Sequence, residues 1–480
     1  MEVKKLYEEA GQLQLFDHWE TLSAEDQQSL LENLSAVAKR TTPQELVSKC
    51  RDALTLSAAN ASDGTQIEPL PTTSYQTVIG NEEAQKAYWN LGLEAIVKGE
   101  VAVILMAGGQ GTRLGSSQPK GCYDIGLPSG KSLFQIQADK ILRLQDLSGS
   151  QHAIPWYVMT SVPTRAATEE FFAKHKFFGL KPSQVTFFNQ GTLPAFDLEG
   201  SKLLLGSPTE LVASPDGNGG LYRAMKDNDL LSDFTAKGIK HVYMYCVDNV
   251  LSKVADPTFI GFAIQHKFEL ATKAVRKRDA HESVGLIATK QGKPCVIEYS
   301  EIPKELAEAQ DGSGLLKFRA ANIVNHYYSV ELLQRELDNW CATLPYHVAR
   351  KKIPVYDNKT GQFCKPTSPN GIKLEQFIFD VFPTVPLDKF GCLEVERAEE
   401  FAPLKNGAGS SNDNPETSRV AYLTLGTSRL KAAGAKIASG VDIEVSGRMS
   451  FSGENLSQYS GKTFDRSGVI IESDPFLLCH

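Results

Sequence analysis

Much of what this chain lacks is informative. No apolar run among its 480 residues approaches the ~20 that a membrane-spanning helix needs. The N-terminal stretch MEVKKLYEEAGQLQLF is charged and has no apolar h-region, so no secretory signal is expected. Eight cysteines stand at 50, 122, 246, 295, 341, 364, 392 and 479 without a CxxC pair. Scattered in this way they suit reduced thiols of a cytoplasmic protein better than disulfides or a zinc site. The nine histidines form no HxH or HExxH cluster. No GxSxG or Cys–His signature marks a nucleophile. The net charge of −7 argues against nucleic acid as the main partner.

What is present begins with VAVILM at 101–106, followed at once by AGGQGTRLG at 107–115. Six apolar residues, three of them β-branched, read as a strand buried on both faces. The glycines break it and bare backbone N–H groups, which can form a concave nest for anions. Arg113 adds a fork of donors suited to phosphate, and Lys120 a second cation. No Lys-Ser or Lys-Thr closes the loop as in GxxxxGK[ST]. A GxGxxG reading from Gly109 and Gly111 meets Leu114 at its third glycine. A strand feeding an anion nest with two cations nearby is a phosphate-handling device of another kind.

The length implies about two to four domains, and 41% hydrophobic with 22% charged residues is ordinary for a large globular core. Residues 1–57 read as helical, with Leu13, Phe16 and Trp19 on one face and a helix start at Ser23. Residues 58–80 read as a connector, and Asn81 caps a helix ending near Gly99. From 100, strands at 101–106, 156–160, 185–189 and 241–247 alternate with helices such as 132–147 and 164–176. That alternation implies an α/β fold, a mostly parallel sheet with helices on both faces. Ligands of such sheets sit beyond the carboxyl ends of strands. The Gly-rich loop, Asn189–Gly191 and Asp248-Asn249 all follow strand ends. Strand-like runs at 284–288, 295–300 and 319–328 follow. Residues 406–418 read as a polar flexible loop. The glycine-punctuated stretch from 426 reads as short strands, possible rungs of a β-solenoid. The expected divisions are an N-terminal helical segment 1–99, a central catalytic domain 100–405 and a C-terminal β domain 406–480.

Joining a nucleoside triphosphate to a phosphate brings two anions together. Positioning and positive charge then matter more than a protein nucleophile. Arg113 and Lys120 suit that task by their place beside the turn. Asp248, a lone carboxylate at a strand end, suits Mg²⁺, which takes one or two carboxylates with phosphates and water, and its strand-end place favours that role over a helix cap or turn Asp. SPDGNGG at 214–220 is a second Gly-rich turn that permits close approach of a ring or sugar. Taken alone, Lys373 and Lys405 read as solvated lysines.

The strings MAGGQGTRLGSSQPKG, FNQGTLPAFD, SPDGNGGLY, VDNVL, EYSEI, NIVNH, GIKLEQFIFD and FAPLKN resemble the UDP-sugar pyrophosphorylase family, and within it the fungal UDP-N-acetylglucosamine type. The match runs over most of the chain and implies a Rossmann-like nucleotidyltransferase domain of the GT-A-like kind. It implies transfer from UTP to N-acetylglucosamine 1-phosphate with Mg²⁺ or Mn²⁺. The products would be pyrophosphate and UDP-N-acetylglucosamine, a precursor of chitin, N-glycans and GPI anchors. By resemblance, Met106, Ala107, Gly108 and Gly109 with Arg113 and Lys120 take the UTP phosphates. Gln190 and Gly217 read uracil. Asn218, Gly285, Glu298, Tyr299 and Asn322 hold the sugar. Asp248 serves metal and phosphates, while Lys373 and Lys405 neutralise phosphate charge. The rival readings are another sugar 1-phosphate (N-acetylgalactosamine or glucose), a glycosyltransferase that releases UDP, and a non-catalytic UDP-sugar sensor.

Overall fold

The computed structural model describes residues 2–60, 66–299, 301–357 and 360–473; Cys479 lies outside them. They cluster into two compact units. One is assembled from Met1–Thr65, Gln190–Ala224 and Asp338–Val381, the other from Gln66–Asn189, Met225–Leu337 and Phe382–His480. Among the described residues no helix is long and apolar enough to cross a membrane.

The second unit is built on an eleven-stranded sheet. Strand Val101–Met106 is buried along its whole length, as its unbroken apolar run demands. It lies parallel to His241–Cys246 on one side and Trp156–Thr160 on the other, with Met106 opposite both Cys246 and Met159. Val185–Asn189 continues the parallel run, with Asn189 opposite Thr160. Four carboxyl ends therefore share one sheet edge, as the alternating pattern required. Beyond His241–Cys246 the sheet is mixed, because Ala320–Ser329 runs antiparallel to both of its neighbours. The connector at 58–80 contributes short strands that the sequence did not announce. Tyr75–Thr77 pairs with Phe390–Glu394, and Ile67–Glu68 with Leu286–Lys290. Two or three residues on either side of Pro69 and Pro71 are too few to show a period.

Helix Leu133–Ser148 starts where Ser132 accepts the Gln135 N–H, and packs Leu133, Phe134, Ile136, Ile141 and Leu144 into the sheet's core. Each such side chain contributes ~1.5–3 kcal/mol through burial. Polar Gln137 and Lys140 are buried on the same helix.

The C-terminal part of this unit corrects one expectation. Residues 415–432 form a helix, Pro415–Ala432, capped by Asn414 with Thr417 completing a capping box. Gly426, where the expected short strands begin, lies inside that helix. A Cβ there would come within 2.9 Å of the Ile443 carbonyl oxygen, so glycine serves close approach of helix to strand. The short strands follow it. Lys436–Ile437 pairs in parallel with Thr463–Phe464, and Ile443–Val445 with Val469–Ile471. This is the pairing that coiled rungs produce.

In the first unit, helices Glu2–Glu9, Ala24–Ala38 and Pro43–Asn60 supply Tyr7, Leu30, Leu34 and Leu46 to a core shared with Phe196, Ile372 and Leu374. The last two lie on Gly371–Glu375, the middle strand of a three-stranded antiparallel sheet. Ser23 caps its helix by accepting the Asp26 N–H. The expected face of Leu13, Phe16 and Trp19 does not form. Residues 13–21 make two 3₁₀ turns, with Leu13 61% exposed and Phe16 edge-on to Trp19. Gln12 helps tie this stretch to the core, donating to the Ser201 carbonyl and accepting from the Leu203 N–H.

Candidate functional site

At the edge where the parallel strands end, the Gly-rich loop folds back on itself. The Gly111 N–H donates to the Gln118 carbonyl and the Lys120 N–H to that of Gly109, which carries Lys120 back to the base of the loop. Ser161 fastens the other side by donating its hydroxyl to the Gly108 carbonyl at 2.7 Å. Among the described residues no acceptor takes the N–H groups of Gly108, Gly109 or Gln110, as an anion nest requires. Met106 ends the strand, Ala107 donates its N–H to the Met159 carbonyl, and Arg113 sits exposed on a 3₁₀ turn, Thr112–Leu114. Its guanidinium has no ion-pair or hydrogen-bond partner among the described residues.

Lys120 Nζ lies 3.6 Å from Asp248 Oδ2, and the two side chains are 18% and 23% exposed. Asp248 stands two residues beyond strand His241–Cys246. Its turn is joined to residues 400–404. The Leu404 N–H donates to the Asp248 carbonyl at 2.9 Å, Asn249 Nδ2 donates to the Glu400 carbonyl, and the Ala402 N–H to Asn249 Oδ1. Lys405 is thereby delivered beside Asp248. The Cys246 thiol senses all three groups: burial and then the Asp248 charge raise its pKa, while Lys120 and Lys405 pull it down. Gly407 packs on the Gly-rich loop, since a Cβ there would lie 2.5 Å from the Arg113 carbonyl oxygen. Residues 406–413 close on themselves, with the N–H groups of Lys405 and Asn406 both donating to the Asp413 carbonyl.

A polar cavity of about 480 Å³ adjoins Lys405 and is lined also by Arg278, His281, Glu282, Val284 and Asp413. Gly285 follows Val284 and accepts the Asn322 N–H on its carbonyl at 2.9 Å. A Cβ at Gly285 would stand 3.7 Å from Glu298 Oε1, so Gly285, Glu298 and Asn322 are neighbours. Asn322 Oδ1 is occupied by the Val324 N–H, and Tyr299 is 51% exposed.

The remaining expected residues lie in the first unit. Gln190 is buried, and next to it Gly191 accepts the Asp216 N–H. Gly217 has φ +87°, and a Cβ there would strike the Gln376 carbonyl oxygen at 2.4 Å. The Gly219 N–H donates to that same carbonyl, and Asn218 Oδ1 accepts the Ile378 N–H. Residues 190–191, 216–219 and 376–378 are thus knitted together. Lys373, half-buried, lies opposite Ala349 three residues before Gln376.

Among the described residues no three His, Cys, Asp or Glu side chains cluster as a metal cage. Asp248 alone, partly exposed beside cations, fits a hard cation that draws its other ligands from phosphate and water. It does not fit zinc, which needs three or four protein ligands. Sequence reasoning overlooked Gln137, Lys140 and Gln376. The first two were findable, because they are polar residues three apart on the apolar face of a helix.

The chain matches the family model for UTP–glucose-1-phosphate uridylyltransferase over residues 52–411. A UDP-N-acetylglucosamine pyrophosphorylase of Saccharomyces cerevisiae is 67% identical to it, covering 98% of this chain and 99% of the yeast protein. A UDP-N-acetylhexosamine pyrophosphorylase-like protein 1 of Homo sapiens is 38% identical over 98% of this chain and 97% of its own length. Among solved structures, the uridine diphosphate N-acetylglucosamine pyrophosphorylase from Trypanosoma brucei superposes with a TM-score of 0.83 at 28% identity, covering 98% of this chain and 97% of its own.

Proposed function

We propose that this chain, which belongs to the UTP–glucose-1-phosphate uridylyltransferase family, joins UTP and N-acetyl-α-D-glucosamine 1-phosphate into UDP-N-acetylglucosamine and pyrophosphate. The observation that carries the reading is the convergence of Lys120, Asp248 and Lys405 at the strand ends, beside a Gly-rich loop with unengaged N–H groups.

A phosphate oxygen of the sugar phosphate attacks the α-phosphorus of UTP, and pyrophosphate leaves on the opposite side. The loop at Met106, Ala107, Gly108 and Gly109 cradles phosphate oxygens, and Arg113 and Lys120 stabilise the charge that builds on the leaving group. Lys405, and Lys373 in its own unit, offset the charge of nucleotide and sugar phosphate. Asp248 would hold Mg²⁺ or Mn²⁺, which when bound supplies further positive charge to phosphate oxygens. Gln190 and Gly217 recognise uracil; Asn218, Gly285, Glu298, Tyr299 and Asn322 receive the sugar. Every role is binding, orienting or charge stabilisation, so a protein nucleophile is not needed.

The test is pyrophosphate release from UTP with Mg²⁺ and each of several sugar 1-phosphates. Release that is strong with N-acetylglucosamine 1-phosphate, weak with glucose 1-phosphate and abolished by chelator is expected. Release with glucose 1-phosphate or N-acetylgalactosamine 1-phosphate alone would keep the mechanism and replace the sugar. No release from folded protein that binds UDP-sugar would overturn the reading in favour of a sensor or a glycosyltransferase.

A further inference from the structure

Behind the turn that carries Asp248 lies a lysine with no surface role. Lys140 is buried in helix Leu133–Ser148, and its Nζ donates to two backbone carbonyls, Val250 at 3.0 Å and Ser252 at 2.7 Å. One helical turn earlier, Gln137 Nε2 donates to the Val247 carbonyl at 3.1 Å, and Tyr245 OH donates to Gln137 Oε1. Two side chains of one helix thus hold three carbonyls flanking Asp248 and Asn249. A charge-assisted bond to a carbonyl is stronger than a neutral one, and stronger still in a dry interior.

Lys140 sits among both signs of charge. Burial chiefly, then Arg429 and Lys253, push its ammonium down to about 7, while Glu400 and Asp139 oppose them. Lys253, on the same turn, is paired with Glu399 at 2.7 Å and Glu400 at 3.5 Å, so it leaves Lys140 to the carbonyls. From the other side the C-terminal rungs press on it: a Cβ at Gly447 would come within 2.9 Å of Lys140 Cγ.

We propose that Lys140 is a positioning residue that fixes the Asp248 carboxylate through the carbonyls of Val250 and Ser252. The proposal rests on the reading of Asp248 as the metal-side carboxylate. A group that orients a metal ligand without touching the metal changes affinity or activity by about 10–100-fold when removed. Binding through a loosened turn is weaker but restored by more cation, so a shift in metal requirement separates positioning from general damage.

The test uses the full chain and three variants, Lys140→Met, Gly447→Ala and Asp248→Asn. Amide hydrogen exchange of the protein without metal or nucleotide reads the turn itself, and the Mg²⁺ concentration giving half-maximal pyrophosphate release reads its consequence. In Lys140→Met, exchange at 247–253 should quicken selectively. Half-saturation should rise about tenfold or more, with kcat recovering at high Mg²⁺. Gly447→Ala, which displaces the lysine without removing it, should shift both readouts in the same direction and decides the matter if Lys140→Met does not fold. Folded variants with unchanged exchange at 247–253 and half-saturation within about twofold would overturn the proposal, as would a fall in kcat at every Mg²⁺ concentration. If Asp248→Asn leaves the Mg²⁺ requirement unchanged, the underlying reading of Asp248 fails. A shift in Asp248→Asn without one in the other two defeats the Lys140 proposal alone.

Discussion

The cations before the Asp248 turn and those behind it differ in one respect that decides their roles. In front, Arg113 and Lys405 are exposed and lie beside backbone with few protein partners, while Lys120 is partly buried and lies 3.6 Å from Asp248, itself a site residue. Behind, Lys140, Lys253 and Lys273 are buried, and each is held by carbonyls or carboxylates. Lys273 is the extreme case, fully buried between Asp256 at 2.6 Å and Glu400. Burial alone would lower the Lys273 pKa, but the two carboxylates carry it above its ordinary value. A cation already paired in a dry interior has little charge left to offer a ligand, whereas an unpaired one at the rim does. The rear set holds backbone carbonyls and buried carboxylates, and the front set is left for the substrates.

The sharpest way to break this comparison is Lys273→Met. Removing Lys273 leaves the buried Asp256 without its cation and Glu400 with only Lys253 at 3.5 Å, and should lower unfolding stability by ~3–5 kcal/mol. Urea unfolding checks it; a loss under about 1 kcal/mol would mean the rear set is not structural. Arg113→Ala should show the reverse signature. Its turnover should fall by ~10²–10³, equivalent to ~3–4 kcal/mol in the transition state, with the melting temperature unchanged. Lys120→Ala should lose about as much turnover. A tenfold loss or less, with folding intact, would move either residue out of the chemical step.

Titration separates the two sets further. With Lys140 pushed down to about 7 in the folded protein and near 10.4 unfolded, the unfolded chain binds more protons between those values. This group's contribution to stability therefore rises with pH from about 7 to 10, by roughly 3 kcal/mol, and the rise should vanish in Lys140→Met. Equal slopes for the two proteins would contradict it. The smallest effect belongs away from both sets: Ser23→Ala removes the cap of helix Ala24–Ala38 in the first unit and should cost ~1 kcal/mol by chemical denaturation, with turnover unchanged.

At the front, Arg113 and Lys120 were legible in the sequence; Lys405 and the rear set were not. A glycine-rich break after an apolar strand is a local signal, and it led to Arg113, Lys120 and, at another strand end, Asp248. The four parallel strands were legible because each is an apolar run of five or six residues. Lys373 and Lys405 carried no local signal and were raised only by resemblance. Lys405 owes its place to Leu404 and Asn249, which join segments some 150 residues apart in the chain. The helix at Pro415–Ala432 was missed although Asn414-Pro415 is a helix start, because its polar beginning reads as the end of a loop at 406–418 and Gly426, which serves close packing, interrupts its middle. The antiparallel course of Ala320–Ser329 follows from its partners and not from its composition.

In the proposed mechanism a site made of charge and positioning, with no protein nucleophile, transfers the uridylyl group in one step. The stereochemistry at phosphorus tests it most directly. With UTP carrying a single sulfur at the α-phosphorus and N-acetylglucosamine 1-phosphate as acceptor, one direct displacement inverts that centre. Inversion is the expected result. Retention would require two displacements through a uridylyl-enzyme intermediate, and would contradict it.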